Sequence, residues 1–504
     1  MIHSIQQFLE NGIDSIEKVS EDFICNPTDY ASFIQNIGNE TNKLALSIIA
    51  ETLNDIDQGI KNSRERKKKW SIIKTDDATL ITSLGTVKYR KTLYKSKMNG
   101  TSCYLIDKVM NKEKSEKFSP DALARIYDEA CDSCFRKSGE NVCINQEFVS
   151  PQTAMNKVHG LEFPKYKSPE KKKKVKYLYV SADEDHVALQ FNNSKGDLSK
   201  GENGYKINTA ISKLVYVYEG REVVSEGQKK RYELKGVRYF SGLYEGRESN
   251  RKLWEEIDEY IDGTYEIEED GRIFVISDGG GWINTAQNVL GSKACMIIDE
   301  FHMEKYINKL ANTASDAKDD VYEALRTAAY EADQKECSRV IKETKEYVSE
   351  VFKEDLSESN KRQKRIAEAE TYLKSNWKKI EARKENAQYL HGCSAEGHVS
   401  HVLSARLSSR PLGWSKAGID SMSKLRAYKA NGGDMLELAE YQRRRTKTEE
   451  LQNQHITMKD LGLTAAKMNG KDEASKEKYY ELFQARIPGI TARKSATIRL
   501  NIVI

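Results

Sequence analysis

The sequence predicts an α+β protein of several domains, and three observations lead to that prediction. At 504 residues the chain is long enough for more than one hydrophobic core. Residues 174 to 298 hold runs rich in β-branched and aromatic residues. One of them, Arg272-Ile273-Phe274-Val275-Ile276-Ser277, is a continuous apolar run of the sort a parallel sheet buries. On either side, residues 1 to 70 and 303 to 390 repeat apolar side chains at helical spacing among charged ones.

Apolar residues make up 38% of the chain and charged residues 31%, a polar but globular balance. The net charge of +4 supplies no global field that demands a polyanion. Local clusters do exist, at Arg64 to Lys69, Lys171 to Lys174, Arg362 to Arg365 and Arg443 to Arg445; each suits either a solvated face or a phosphate track. No apolar run reaches bilayer length, and the first residues lack the basic start and apolar stretch of a signal peptide, so a cytoplasmic protein without a membrane partner is expected. Of eight cysteines only Cys131 and Cys134 are close; they fit a helix face or, with Cys103 and Cys143, an incomplete zinc pattern.

In chain order, Ile5, Phe8, Leu9, Leu44, Ile48 and Ile49 mark helices in residues 1 to 70. Leu80 to Tyr94 then places β-rich runs around Gly85, a hairpin signal. Ser119-Pro120 and Ser150-Pro151 cap two helices, the second short and carrying Gln152, Thr153, Asn156 and Lys157. The pair suits a helix-turn-helix with Lys157 on the helix that enters a major groove, and equally two packed helices. Pro164, Pro169 and Lys171 to Lys174 mark a linker.

Beyond the linker, Lys174 to Phe191 is expected to form two strands joined by a tight acidic turn, Asp183-Glu184-Asp185. Leu214 to Tyr218 and Arg231 to Phe240 are further expected strands, and Leu253 to Ile261 a helix. The apolar run before Asp278 and the short run Ala294 to Ile298 complete the strands. A charged helical stretch follows. Ser394 then caps a helix that carries Glu396 in its first turn, an apolar stripe of Val399, Leu403 and Leu407, and Arg406 and Arg410 on one face, with Pro411 stopping it. His398 and His401 suit metal, solvent or phosphate.

The acidic turn alone suits an exposed hairpin better than a metal site, because acidic turns are frequent. The order of elements changes the weighing. Strands in meander, a helix, a strand ending in Asp278, another strand and a late helix bearing Glu396 follow the order of a ribonuclease-H-like α/β fold, interrupted by an all-helical insertion. In that order Asp183, Asp278 and Glu396 each reach a common point. Three carboxylates can hold two Mg²⁺ ions about 3.5–4 Å apart for phosphodiester chemistry, with Mn²⁺ able to substitute.

The residues that decide a family are Tyr179-Val180-Ser181-Ala182-Asp183-Glu184-Asp185-His186-Val187, Ile276-Ser277-Asp278-Gly279, Asp299-Glu300-Phe301-His302 and Ser394-Ala395-Glu396-Gly397-His398-Val399-Ser400-His401 continuing to Pro411. Over most of its length the chain resembles the ISLre-type bacterial insertion-sequence transposases, relatives of the Mutator-like group of DDE transposases. The resemblance implies Mg²⁺-dependent DNA cleavage and strand transfer by the triad Asp183, Asp278 and Glu396. Asp299 and His302 serve as the accessory pair expected after the second Asp. It leaves open which acid of Asp183, Glu184 and Asp185 is the ligand.

The domains expected are residues 1–165 for binding terminal inverted repeats, 175–302 as the first part of a catalytic core, 303–390 as the insertion, 391–430 as the core's last helix and 431–504 as a basic tail. Lys157, Arg406, Arg410 and Trp414 are the expected DNA contacts. The partners are double-stranded DNA and other copies of the chain, assembled on the nucleoid. Two rivals remain: a ribonuclease-H-like nuclease that does not join ends, and a non-catalytic DNA-binding protein derived from a transposase.

Overall fold

The computed structural model describes residues 2–112, 116–145, 147–200, 206–225, 231–391, 395–410, 412–445 and 456–463. The chain forms two compact units. One comprises residues 1–123, 140–148 and those from 443 onward; the other comprises 124–139 and 149–442. The division therefore does not fall at residue 165.

In the first unit, helix α1 (Ile13–Cys25) precedes the long helix α2 (Tyr30–Asn62), whose amino end is capped by Asp29 accepting from the Ser32 N–H at 3.3 Å. Strands β1 (Trp70–Thr82) and β2 (Gly85–Ser96) form the expected hairpin, and β3 (Ser102–Tyr104) pairs with β2. The core joins Leu53 and Ile60 of α2 to Leu80, Val87, Tyr89 and Tyr94 of the hairpin and to Leu461. Helix α1 and the first half of α2 bury no side chain completely. Within the cluster Arg64 to Lys69, Arg66 is buried and donates to the Ile60 carbonyl at 3.3 Å, so it is a structural residue. Of the expected tail, residues 446–455 and 464–504 lie outside the described residues. Leu461, in contrast, packs in this core, and its carbonyl accepts from Ser63 Oγ at 2.5 Å.

The second unit takes in most of a helix at Pro120–Asp132, the one expected after Ser119, and most of a short one at Phe135–Glu140, and continues with short helix α3 (Pro151–His159), capped by Ser150. Then come β4 (Lys173–Ala188), β5 (Thr209–Tyr218), β6 (Arg238–Gly242), helix α4 (Gly246–Thr264), β7 (Tyr265–Ser277), helix α5 (Thr285–Leu290) and β8 (Ala294–Ile298). The sheet order is β6-β5-β4-β7-β8; β4, β5 and β6 pair antiparallel, while β7 runs parallel to both β4 and β8. One face of the sheet packs Leu178, Val180 and Val275 against Leu253, Trp254 and Ile257 of α4 and Ala286 of α5. The other face is aromatic, with Tyr179, Tyr216, Tyr218 and Phe274.

Two expectations fail here. No turn occurs at Asp183-Glu184-Asp185, because β5 offers β4 a partner from Tyr179 opposite Tyr218 through to Ala188 opposite Thr209, and the acids are strand residues. Arg231 to Phe240 is not one strand either. Residues Arg231–Lys235 pair with Gly220–Ser225 in a separate ribbon, and Gly236 at φ 63° breaks the run before β6.

Residues 300 to 385 are helical: α6 (Glu300–Ala311), α7 (Lys318–Tyr330), α8 (Gln334–Val351), α9 (Leu356–Ser375) and α10 (Trp377–Glu385), sharing a core that includes Met303, Leu325, Ile341, Ile366 and Trp377. Helix α11 (Ala395–Val399) continues through a wider turn at Ser400–Ser404 and ends at Leu407. Arg410 therefore lies beyond the helix and shares no helical face with Arg406; Ser394 and Pro411 are outside the described residues. Helix α12 (Lys416–Ala430) follows. The α3 helix, expected to read DNA, belongs to this unit, where its last carbonyl, at His159, accepts from Ser421 of α12 at 3.2 Å. Among the described residues no helix is long and apolar enough to cross a membrane.

Candidate active site

Strand register builds the site. Ser277, the last residue of β7, lies opposite Ala182 of β4 and Ile298 of β8. The next residue on each of the three chains is an aspartate: Asp183, Asp278 and Asp299. The row forms where the parallel strands end together, while β4 continues only with β5 beside it. Alternation aims Asp183 to the face of Tyr179 and Ser181. The neighbouring side chains Phe274, Ile276 and Ile297 pack on that same face, as does Ala395 of α11.

The charges in the row act on one another. The Asp183 carboxyl is pushed up to about 6, chiefly by burial and further by Asp278 and Asp299, although the Glu184 N–H, 2.8 Å from Asp183 Oδ1, and His302 pull the other way. His302 Nδ1 lies 2.8 Å from Asp299 Oδ2. Burial lowers the His302 pKa, but the hydrogen bond and charge of Asp299, aided by Asp183 and Asp278, outweigh burial and raise it. Asp278 Oδ1 accepts from the Gly280 N–H at 2.8 Å. Gly279 between them has φ 96°, and a Cβ there would run into the Asn376 side chain, so both backbone and space require glycine.

The adjacent acids of β4 go elsewhere. Glu184 points to the opposite face, where Oε2 accepts from Trp282 Nε1 at 2.7 Å. Asp185 returns to the Asp183 face but is buried; Oδ1 accepts from Ser408 at 2.8 Å, and Oδ2 has no hydrogen-bond partner among the described residues. Glu396 is exposed in the first turn of α11, next to the Ala395 that packs on this face. Among the described residues, no three His, Cys, Asp or Glu side chains stand close enough together to hold a metal ion. The structure thus sets Asp183, Asp278 and Asp299 in one row, with His302 bonded to Asp299.

Three further residues reach the site from the helical segment, and nothing in the sequence marks them. Tyr372 Oη donates to the Asp278 carbonyl at 2.8 Å. Asn376 contacts Gly279, and Lys379 donates to Asn376 Oδ1 at 3.1 Å. Burial lowers the Lys379 ammonium's pKa while Asp278 holds it partly up.

Of the expected DNA contacts, Lys157 is half-buried on α3 and Arg410 is exposed. Arg410 lines a cleft of about 500 Å³ with His186, Asn208 and Ser408. Arg406 and Trp414 are buried instead. Arg406 Nε donates to the Ala130 carbonyl at 2.9 Å, its guanidinium lies 4.7 Å from the Trp414 ring, and Trp414 Nε1 donates to the Leu407 carbonyl at 3.1 Å. They brace the second unit. His398 is likewise internal, 2.7 Å from Tyr239 Oη and stacked on Tyr216.

Residues 28–445 match the uncharacterised protein family UPF0236. The chain belongs to that family. Among UPF0236 relatives, the protein TTE2489 of Caldanaerobacter subterraneus subsp. tengcongensis is 31% identical over 437 residues, 86% of each chain. Another from the same organism is 31% identical over 421 residues, 83% of this chain and 82% of its own, and its name joins eleven locus tags beginning with TTE0033.

Proposed function

We propose that this UPF0236 protein is a DDE transposase of the ISLre type, which binds the ends of an insertion sequence and cleaves and joins DNA with a ribonuclease-H-like catalytic core. The observation that carries the reading is the row Asp183, Asp278 and Asp299 at the common end of β4, β7 and β8. It lies in a sheet of order β6-β5-β4-β7-β8 with three antiparallel strands and two parallel additions. That order and those directions suit a ribonuclease-H-like core, and among the described residues between β8 and the helix bearing Glu396 the regular structure is helical. Eleven locus tags under one relative's name also suit a gene that multiplies within a genome.

The donor set fits a hard divalent cation in part. Asp183 and Asp278 offer carboxylate oxygens, and Asp183 is held near 6 by burial among like charges, a strain that a cation relieves. Asp183 and Asp278 would hold Mg²⁺ or Mn²⁺, with Glu396 the third candidate. A bound divalent ion supplies charge for the phosphodiester oxygens and activates a water or 3′ hydroxyl. Against the burial that lowers it, Asp299 raises the His302 pKa, which favours a positive charge beside Asp183. Lys379 places an ammonium beside Asp278, where a substrate phosphate has a cation to meet. Tyr372 and Asn376 fix the loop that carries Asp278. Incubation with labelled end DNA and Mg²⁺ tests the proposal: a 3′-hydroxyl nick followed by joining supports it, and nicking without joining favours a nuclease.

A further inference from the structure

We propose that a cleft in the first unit, between α2, the β1–β2 hairpin and the segment around Lys112, is a phosphate-binding site for a polynucleotide strand. The polynucleotide source rests on the DNA reading above; the phosphate chemistry does not. The cleft has a volume of about 960 Å³ and is lined by Asn54, Tyr89, Lys91 and Lys112, with Lys88 and Lys117 among its other residues.

Its charges do not balance. Lys91 Nζ lies 2.7 Å from Asp107 Oδ2, and Lys112 Nζ stands 3.8 Å from the other oxygen of the same carboxylate, beyond hydrogen-bond reach. Lys91 and Lys112 are each 8% exposed and Asp107 4%. Two buried ammonium groups thus share one carboxylate. Asp107 lies behind the lining, and Asp57, the buried acid within it, is already engaged by the Thr92 N–H at 2.9 Å, the Thr92 hydroxyl at 2.7 Å and Lys61 at 3.2 Å. Glu116 is paired with Arg443 at 3.1 Å. A buried cation without a full partner is costly, and an arriving anion with several acceptor oxygens removes that cost.

Further groups point the same way. Tyr89 Oη is buried without a hydrogen-bond partner among the described residues and is free to donate. Lys88 and Lys117 are exposed and enter no ion pair among the described residues, which extends the positive lining beyond what one anion fills. A strand whose phosphates recur along its length suits such a lining. The helices ahead of the cleft do not compete for that role, since among residues 1–60 acids outnumber Lys and Arg ten to two.

The test uses the full chain. Fluorescence anisotropy with a labelled random-sequence duplex is measured across a salt series for the wild type, the rim variant Lys88→Gln/Lys117→Gln, and Lys112→Met. The rim variant is exposed and keeps the test valid if Lys112→Met does not fold. Each lost phosphate contact lowers the slope of log affinity against log salt by about 0.9, so the rim variant should lose about two units of slope and Lys112→Met about one. An unchanged slope in the rim variant overturns the site while leaving the transposase reading standing. If the wild type binds no duplex, the DNA reading fails, and melting with tripolyphosphate decides the site. A rise in melting temperature for wild type that the rim variant lacks supports it with a free polyphosphate as ligand, and no rise overturns it.

Discussion

Replacing Asp183 with Asn should make the protein more stable above pH 6 while removing its activity. The carboxyl is raised from 3.8 to about 6, so its ionised form is disfavoured in the folded state, mainly by burial and then by Asp278 and Asp299. A shift of about two units corresponds to roughly 3 kcal/mol of strain once the group is ionised in both states. Part of it is offset in the variant, because the bond from the Glu184 N–H to Asp183 Oδ1 loses its charged acceptor. The expected gain is about 1–3 kcal/mol, or a few degrees of melting temperature for a unit of this size. The sign follows from the raised folded-state value. Below the unfolded value of 3.8 the group is protonated in both states and the variant gains nothing; wild-type stability falls as pH rises from about 4 to about 6, and above that the full difference is present. Urea or thermal melts of both proteins at pH 4 and pH 7.5, without and with Mg²⁺, measure it. Mg²⁺ should narrow the gap at pH 7.5 by stabilising the wild type alone. A variant no more stable at pH 7.5 than at pH 4, relative to wild type, would refute the crowding of carboxylates at this point.

Glu184→Gln should keep near-wild-type cleavage, because Glu184 faces Trp282 on the far side of the sheet; Asp185→Asn should lower cleavage partially, since Asn keeps an acceptor for Ser408. End-DNA cleavage by each purified variant checks the pair, and a dead Glu184→Gln would reverse the assignment of faces. Arg406→Ala should destabilise the second unit by about 2–4 kcal/mol through the lost Ala130 bond and Trp414 packing, and leave the salt slope of DNA binding unchanged. Melting and anisotropy on the same preparation separate those outcomes. Lys379→Met should lower the cleavage rate at saturating DNA by tenfold or more with little change in binding, read from single-turnover kinetics.

Much of the second unit's topology was legible because its signals are local. The apolar run before Asp278 and the short run before Asp299 carry their burial in their own composition, and the aspartates mark where each strand leaves the sheet. The acidic stretch of β4 misled for a physical reason: four consecutive polar residues look like a turn, yet β5 pairs along all of them, and pairing is a long-range property that composition does not carry. Arg406 and Trp414 misled likewise, since a basic and an aromatic residue near a functional helix suit DNA, while the Ala130 carbonyl that captures Arg406 lies 276 residues away. Tyr372, Asn376 and Lys379 were silent because a helix in the insertion reaches Asp278 only after the chain has folded. The first unit's cleft was hidden for the same reason, its lysines being spread from Lys88 to Lys117 among unremarkable neighbours.

The most direct test of the central claim is cleavage of a labelled duplex that ends in the element's own terminal repeat, by wild type, Asp278→Asn and Glu396→Gln, with Mg²⁺ and with EDTA. Wild type should nick the end, expose a 3′ hydroxyl and join it to target DNA only when the divalent ion is present. Both variants should bind the same duplex and produce neither product. Wild-type protein that binds the end and leaves it intact with Mg²⁺ or Mn²⁺, or variants that cut as well as wild type, would contradict that claim.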